Sequence, residues 1–428
     1  MDRRAENILK SLSHPCFNGG CAASGKHTRL HLPVAPACNI QCNYCVRRYE
    51  CANESRPGVT ARVLSPGGAL ERFLVVREKF LRDGIGGLNV AGIAGPGDAL
   101  ADFEKTRETF KLIRKADRDV TFCLSTNGLL LPDYAGELAD LGVSHVTVTV
   151  NAPDSVTGKR IYRYVDFRGK RYTGGEGASL LMERQYAGLA LLKELGIITK
   201  VNIVMLKGIN DDKIPAIVEK AKNAGADICN IMQLIPVKGS LFEHLPLVSN
   251  AEITELRKSC ERILPQMYHC RQCRADAAGT LDEDMSRAFA EPGPGGEQVP
   301  AGKGARDTPS GIPRRFAVVS KTGIVVDQHF GRAKAFGIYE YDRGRVSFIE
   351  KREIPQYCFG PRGCGETGET IAAILKTIAD CSGLISMRIG GPPRARLEEN
   401  GVRVWTTYNY ISAAVEDAAK ELNKNAKV

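Results

Sequence analysis

Apolar and polar positions follow two rhythms that take turns along the chain. Short runs rich in Val, Ile and Leu recur at "LHLPVA" (30–35), "GGLNVAGIA" (86–94), "VTFCLST" (120–126), "HVTVTVNA" (145–152), "TKVNIVML" (199–206) and "ICNIMQLIPV" (228–237). Such runs predict strands buried on both faces, as in a parallel sheet. Between them stand longer stretches with helical periodicity, such as "LERFLVVREKFLRD" (70–83) and "SLLMERQYAGLALLKELG" (179–196). About six βα units in succession predict right-handed crossovers, in a partial barrel or a doubly wound sheet. In both architectures the active site forms where strands end and loops begin.

The alternation stops at "AEPGPGGEQVPAGKGARDTPSGIP" (290–313). That stretch is dense in Gly and Pro and nearly free of large apolar residues, so it cannot bury a core and reads as a linker. Beyond it, "RRFAVVS", "GIVVDQHF", "AFGIYEYD" and "RVSFIEKREI" predict strands, and the stretches near 367–380 and 410–424 predict helices. A second, small α/β domain is expected there.

Composition narrows the picture. A length of 428 residues suits two or three domains with a core that needs no disulfide staples. Hydrophobic content of 43% and charged content of 25% are ordinary for a globular protein. No apolar run approaches the roughly 18 residues of a membrane span. The opening "MDRRAENILK" has no apolar stretch of the signal-peptide kind. A cytoplasmic protein is expected. In a reducing compartment its 14 cysteines read as ligands or reactive thiols before disulfides. The net charge of +10 is spread without a basic tract, and suits an anionic substrate or cofactor, or an acidic partner, as well as nucleic acid.

The thiols cluster. "ACNIQCNYCVRRYEC" (37–51) holds Cys38, Cys42, Cys45 and Cys51, and the first three follow the first predicted strand with the spacing C-x3-C-x2-C. Zinc is normally closed by four ligands in two separated pairs, which this loop does not offer. Three thiolates on a 4Fe–4S cube leave one iron open to an outside ligand. The triplet after the first strand of a βα barrel resembles the signature of radical S-adenosylmethionine (SAM) enzymes; a zinc loop is the alternative. The resemblance implies that the open iron grips the amino and carboxylate groups of SAM. One electron then breaks the S–C5′ bond to give a 5′-deoxyadenosyl radical. Three further strand ends face the same rim. "AGPGD" offers Gly95, Gly97 and Asp98 to the methionyl amino group, "STNG" offers Ser125 and Asn127 to the carboxylate or ribose, and "VNAPD" offers Asn151. Each alone is a turn.

"HPCF" (14–17), "RLHLPVAPACNIQCNYCVRRYECANESRPGV" (29–59) and "HCRQCRADAAG" (269–279) closely resemble the NifB family, over roughly residues 10 to 285. The "CANESRPG" extension makes the likeness specific. It implies a partial (β/α)6 TIM-like radical SAM barrel. The implied reaction fuses two bound 4Fe–4S clusters into an eight-iron core around a SAM-derived carbide, with an added sulfide. The implied cofactors are SAM, a SAM-binding 4Fe–4S cluster and two auxiliary or substrate clusters. Implied partners are an electron donor such as ferredoxin or flavodoxin, a cluster donor, and cofactor-assembly scaffold or carrier proteins, with no nucleic acid and no membrane.

The same resemblance assigns Cys16, Cys51, Cys123, Cys270 and Cys273 as further cluster ligands. A histidine ligand is also implied, with His27 as the candidate and His14 and His31 left open. Glu54 would relay a proton and Arg56 would offset sulfide or carboxylate charge. Cys21 departs from the family pattern, and Cys229, Cys260 and Cys381 read as packing residues. Residues 313–428 resemble the nitrogenase-cofactor carrier family, on "VVDQHFGRAKAFGIYE" (325–340), which implies a ribonuclease H-like module. His329, Arg332, Cys358 and Cys364 are its candidate cluster contacts. The expected domains are an N-terminal cluster-binding extension (1–29), the barrel (30–265), a cluster-binding tail (266–289), the linker (290–312) and the carrier-like domain (313–428). Two other readings remain. One is a radical SAM methylase or peptide-modifying enzyme with auxiliary clusters, and the other is a non-enzymatic iron–sulfur scaffold.

Overall fold

The computed structural model describes residues 2–17, 27–50, 56–246, 248, 250–281, 284–289, 313–320, 323, 326, 328–342, 344–357, 368–387, 389–407 and 411–425. The chain divides into two compact units. The larger holds Met1–Ala52, Arg56–Val248 and Glu252–Gly293, and the smaller consists mainly of Pro294–Val428.

The larger unit is built on β1 (Arg29–His31), β2 (Ile40–Cys42), β3 (Val90–Ile93), β4 (Thr121–Thr126), β5 (Val143–Thr149), β6 (Tyr162–Phe167), β7 (Lys170–Tyr172), β8 (Ile198–Met205), β9 (Ile228–Gln233) and β10 (Ala278–Gly279). Seven of these form one sheet in the order β10-β1-β3-β4-β5-β8-β9. The six strands from β1 to β9 run parallel, and β10 closes the β1 edge antiparallel. Of the two architectures that the alternating rhythms left open, this is the partial barrel, as the family resemblance implied. Leu30, Phe122, Val146 and Val201 point outward into a core shared with the covering helices, among them Pro66–Arg82, Phe103–Ala116 and Gly174–Glu194. Because strand side chains alternate, His31, Cys123, His145 and Lys200 face the opposite, concave side.

The first predicted strand is shorter than its apolar run, because residues 32–35 leave the sheet and Val34 and Ala35 pack into the core as loop. A second sheet, β2-β6-β7, was not foreseen. It pairs Cys42 with Tyr162 and Ile40 with Val165, so the middle of the cysteine loop is itself a short strand.

The smaller unit holds β11 (Arg314–Val318), β12 (Ala335–Asp342), β13 (Arg345–Glu353), β14 (Gly383–Ser386) and β15 (Arg403–Thr406), in the order β13-β12-β11-β14-β15. β12 and β13 are antiparallel, while β11, β14 and β15 are parallel. Counted within the unit the order is 3-2-1-4-5, as expected of the ribonuclease H-like arrangement. Ile371 and Ile374 of the helix Gly368–Thr377 pack on one side of the sheet, and Val415 and Ala418 of Ile411–Asn425 on the other. "GIVVDQHF" contributes no described strand, and part of it lies outside the described residues.

Candidate functional site

The cysteine loop leaves β1 and is clamped by the loop after β3. Gly97 donates its backbone N–H to Ala35 O at 2.7 Å, and Asp98 donates to Ala37 O at 2.7 Å. The two loops lie so close that a Cβ on Gly97 would stand 2.1 Å from Ala37 O, so only glycine fits. The Asp98 carboxylate is buried, 3% exposed, and accepts from Thr126 Oγ1 at 3.0 Å, Asn127 N at 2.5 Å and Leu100 N at 3.0 Å. Burial pushes that carboxyl up while the donors oppose it. Asp98 thereby fixes the β4 end, and Asn127 with it. Asn127 Nδ2 donates to Asn39 Oδ1 at 2.7 Å and lies 3.8 Å from Cys38 Sγ. Gly95 has a left-handed φ of +120°, which glycine adopts freely.

The three thiols Cys38, Cys42 and Cys45 are brought together on this loop. Burial pushes all three up, and Cys42 is raised further by Cys45 and Cys38. The Arg47 guanidinium donates to Ile40 O and lies close enough to act electrostatically on Cys38, Cys42 and Cys45. Buried Arg56 acts on Cys45, and its Nη2 donates to Arg48 O at 2.6 Å. Tyr44, inside the triplet, lies against Cys42, and its hydroxyl accepts from Asn151 Nδ2 at 2.8 Å. Asn151 is itself fixed by accepting from Val204 N at 2.8 Å. Buried thiols with guanidinium neighbours suit a cluster that takes them as thiolates and carries the resulting charge. Among the described residues no trio of His, Cys, Asp or Glu closes tightly enough for a single metal ion. A cube separates its corner irons, so its ligands stand farther apart than those of one ion.

Cys16, Cys123, Cys270 and Cys273 form a second group lower in the barrel. Cys16, Cys123 and Cys270 pack against Phe17, Ile198, Ile228 and Met267. Cys16 acts on both Cys123 and Cys273, and Cys270 acts on Cys273. Burial pushes Cys123 up to about 12 and also raises Cys273. Arg29, 2% exposed, donates from Nη2 to Cys273 Sγ at 3.2 Å and from Nη1 to Gly279 O at 2.8 Å, which ties the tail to β1.

His31 and Cys123 flank Gly92, where an added Cβ would meet His31 Cδ2 at 3.5 Å and Cys123 Cβ at 3.7 Å. His31 Nδ1 must donate to the Arg274 carbonyl at 3.0 Å, which leaves Nε2 with its lone pair. Burial, then Arg29, hold His31 down at about 4. His27 lies in the turn before β1, half-buried. Asn127 is four residues beyond Cys123, so roughly 13 Å of strand separates the lower group from the triplet. Ser125 lies between them, in register with Thr147.

Cys21, Cys51 and Glu54 lie outside the described residues, as do Cys358 and Cys364. Cys229 and Cys260 are fully buried in the core beneath the helices. In the smaller unit His329 caps a short 3-10 turn, its Nδ1 accepting from Gly331 N at 2.9 Å, and Arg332 ends that turn. Sequence reasoning passed over Tyr44, Arg47, Arg29, His145 and Lys200. The aromatic inside the triplet was the one local signal; the others are visible only once distant strands align.

A half-barrel with a thiol triplet after its first strand defines a radical SAM protein, and the family model described as "Radical SAM superfamily" matches residues 32–221. The model described as "Dinitrogenase iron-molybdenum cofactor" matches residues 314–425. The FeMo cofactor biosynthesis protein NifB of Frankia alni is 38% identical, covering 96% of this chain and 88% of its own length. That of Klebsiella pneumoniae is 39% identical over 92% of this chain and 86% of its own. That of Chlorobaculum tepidum is 37% identical over 95% and 92%. The chain belongs to the NifB family.

Proposed function

We propose that this radical SAM enzyme of FeMo cofactor biosynthesis joins two 4Fe–4S substrate clusters, a SAM-derived carbon and a sulfide into an eight-iron core. The observation that carries the reading is the convergence of Cys16, Cys123, Cys270 and Cys273 from separate segments of the chain, below a rim that holds a complete triplet.

Cys38, Cys42 and Cys45 hold the SAM-binding cluster, which when loaded with SAM supplies methyl transfer and hydrogen abstraction. Arg47 and Arg56 offset the charge of that site. Asn127 and Asn151 shape the SAM side of the lumen, and the Gly95–Asp98 loop holds the cysteine loop in place. The lower thiols hold substrate clusters, with His31 preferred to His27 because its Nδ1 is spent on the Arg274 carbonyl, leaving Nε2 its lone pair, and because its ring and Cys123 both flank Gly92. A ring nitrogen is a weaker tether than a thiolate, which suits a cluster that must leave. Cys51 and Glu54 are assigned to the same mouth on the family likeness. We assign residues 290–312 as a tether that keeps the carrier-like domain at high effective concentration for product, with an electron donor and assembly proteins as partners.

Methyl-13C SAM tests the reading. The label should appear in an extractable iron–sulfur product of the anaerobic, cluster-loaded protein. Label found only on an organic acceptor would favour the methylase alternative, and absence of 5′-deoxyadenosine would favour the scaffold.

A further inference from the structure

Lys200 is a buried charge in the concave face of the barrel for which this function leaves no task. It sits on β8 in register with Thr147, is 6% exposed, and forms no ion pair among the described residues. Its Nζ lies 3.9 Å from Met267 Sδ and 4.8 Å from the centroid of the Phe17 ring. A thioether and a ring face are weak partners for a buried ammonium, which ordinarily needs an anion beside it. Phe17 and Met267 are the same residues that line the lower thiols, and the charge of Lys200 reaches Cys123, His14 and His145. Burial holds those histidines neutral, and ionised they would repel the ammonium, so neither is its counter-ion.

The missing anion has a natural identity. Deprotonated thiols around a 4Fe–4S cluster leave a net negative charge on the assembly, and Arg29 already answers part of it at Cys273. We propose that Lys200 is the counter-cation of the substrate cluster in the lower thiol group, and that its ammonium pairs with the cluster's sulfides and thiolates on the Cys123 side. The inference rests on the reading that these thiols hold a cluster. It assigns Lys200 two effects: it favours the reduced, more negative state of that cluster, and it slows the cluster's loss. In the iron-free protein the same charge is unpaired and destabilising.

The test is Lys200→Met, which keeps length and removes charge, with Lys200→Arg as the charge-retaining control. In loaded, anaerobic protein, a redox titration followed by electron paramagnetic resonance should show the auxiliary signal harder to reduce in K200M. The expected change is about tenfold in the reduction equilibrium, or about 59 mV for one electron. A chelator should remove auxiliary iron faster from K200M, and K200R should stay near the wild type in both. In iron-free protein K200M should raise the urea midpoint. A lysine that only packed the barrel would lower stability in both states and leave the potential where it was, and that result would overturn the proposal. Cys123→Ala separates the two levels. If C123A keeps all its auxiliary iron, the reading of the lower group fails. If C123A loses that iron while K200M changes neither potential nor release, only the role of Lys200 fails.

Discussion

The two thiol groups of the barrel are built in opposite ways. The upper triplet comes from one short loop, clamped by backbone hydrogen bonds from Gly97 and Asp98 and braced by Asn127 and by the bond between Asn151 and Tyr44. The lower group draws one thiol from the segment after the N-terminal helix Arg3–Ser11, one from β4 and two from the tail behind the barrel. Its members are held by side-chain packing and by Arg29 rather than by a shared loop. A contiguous, clamped loop suits a resident cofactor. A group assembled from separate segments can loosen when one of them moves, which suits cargo that must be released.

Several substitutions would break or sharpen this contrast. Cys42→Ala should have the largest effect: SAM cleavage should fall below detection in a 5′-deoxyadenosine assay while auxiliary iron stays. Gly97→Ala should come next. The added methyl meets the Ala37 carbonyl, and backbone there cannot yield cheaply, so a loss of about 3 kcal/mol in urea unfolding is expected, with SAM cleavage impaired. A mutant as stable as the wild type would show that the clamp is soft.

The lower group should respond to acid when iron-free. His145 is held neutral down to about 3 by burial, with Lys200 adding to the effect. Its folded pKa is therefore below its unfolded value near 6.5, and the unfolded chain binds the extra proton. Stability should fall as pH drops below about 6.5, with His145 alone contributing roughly 2 kcal/mol between there and pH 5, measured by urea unfolding. His145→Phe should remove that share of the slope and leave the share of His14 and His31, which burial also holds neutral. Tyr44→Phe should be the mildest change, about 1 kcal/mol, because it leaves Asn151 Nδ2 without its acceptor. Its effect should show in SAM affinity before it shows in auxiliary iron.

How the groups are built also explains how much could be read from the chain. The six parallel strands were legible because each is an apolar run between helical rhythms. Cys38, Cys42 and Cys45 were legible because their chemistry lies in their spacing. Cys16, Cys123, Cys270 and Cys273 were named through a family likeness, since no local spacing links them all; register across the sheet and the fold of the tail bring them together. The choice among His14, His27 and His31 stayed open in the sequence, where nothing local shows that the Arg274 carbonyl takes up His31 Nδ1. The β2-β6-β7 sheet escaped notice because Ile40–Cys42 is too short to show alternation. The need for glycine at Gly97 arises from a contact with a loop about 60 residues earlier in the chain, and tertiary approach of that kind leaves no periodic trace.

Iron content and 5′-deoxyadenosine yield, measured together on anaerobically prepared C42A and on the Cys270→Ala, Cys273→Ala double variant, bear most directly on the division of labour between the two groups. C42A should keep auxiliary iron and lose cleavage. The double variant should keep cleavage and lose auxiliary iron and product; Arg29 retains its bond to the Gly279 carbonyl there, so the barrel should stay closed. If both variants lost cleavage and auxiliary iron alike, the barrel would hold one interdependent metal site rather than two.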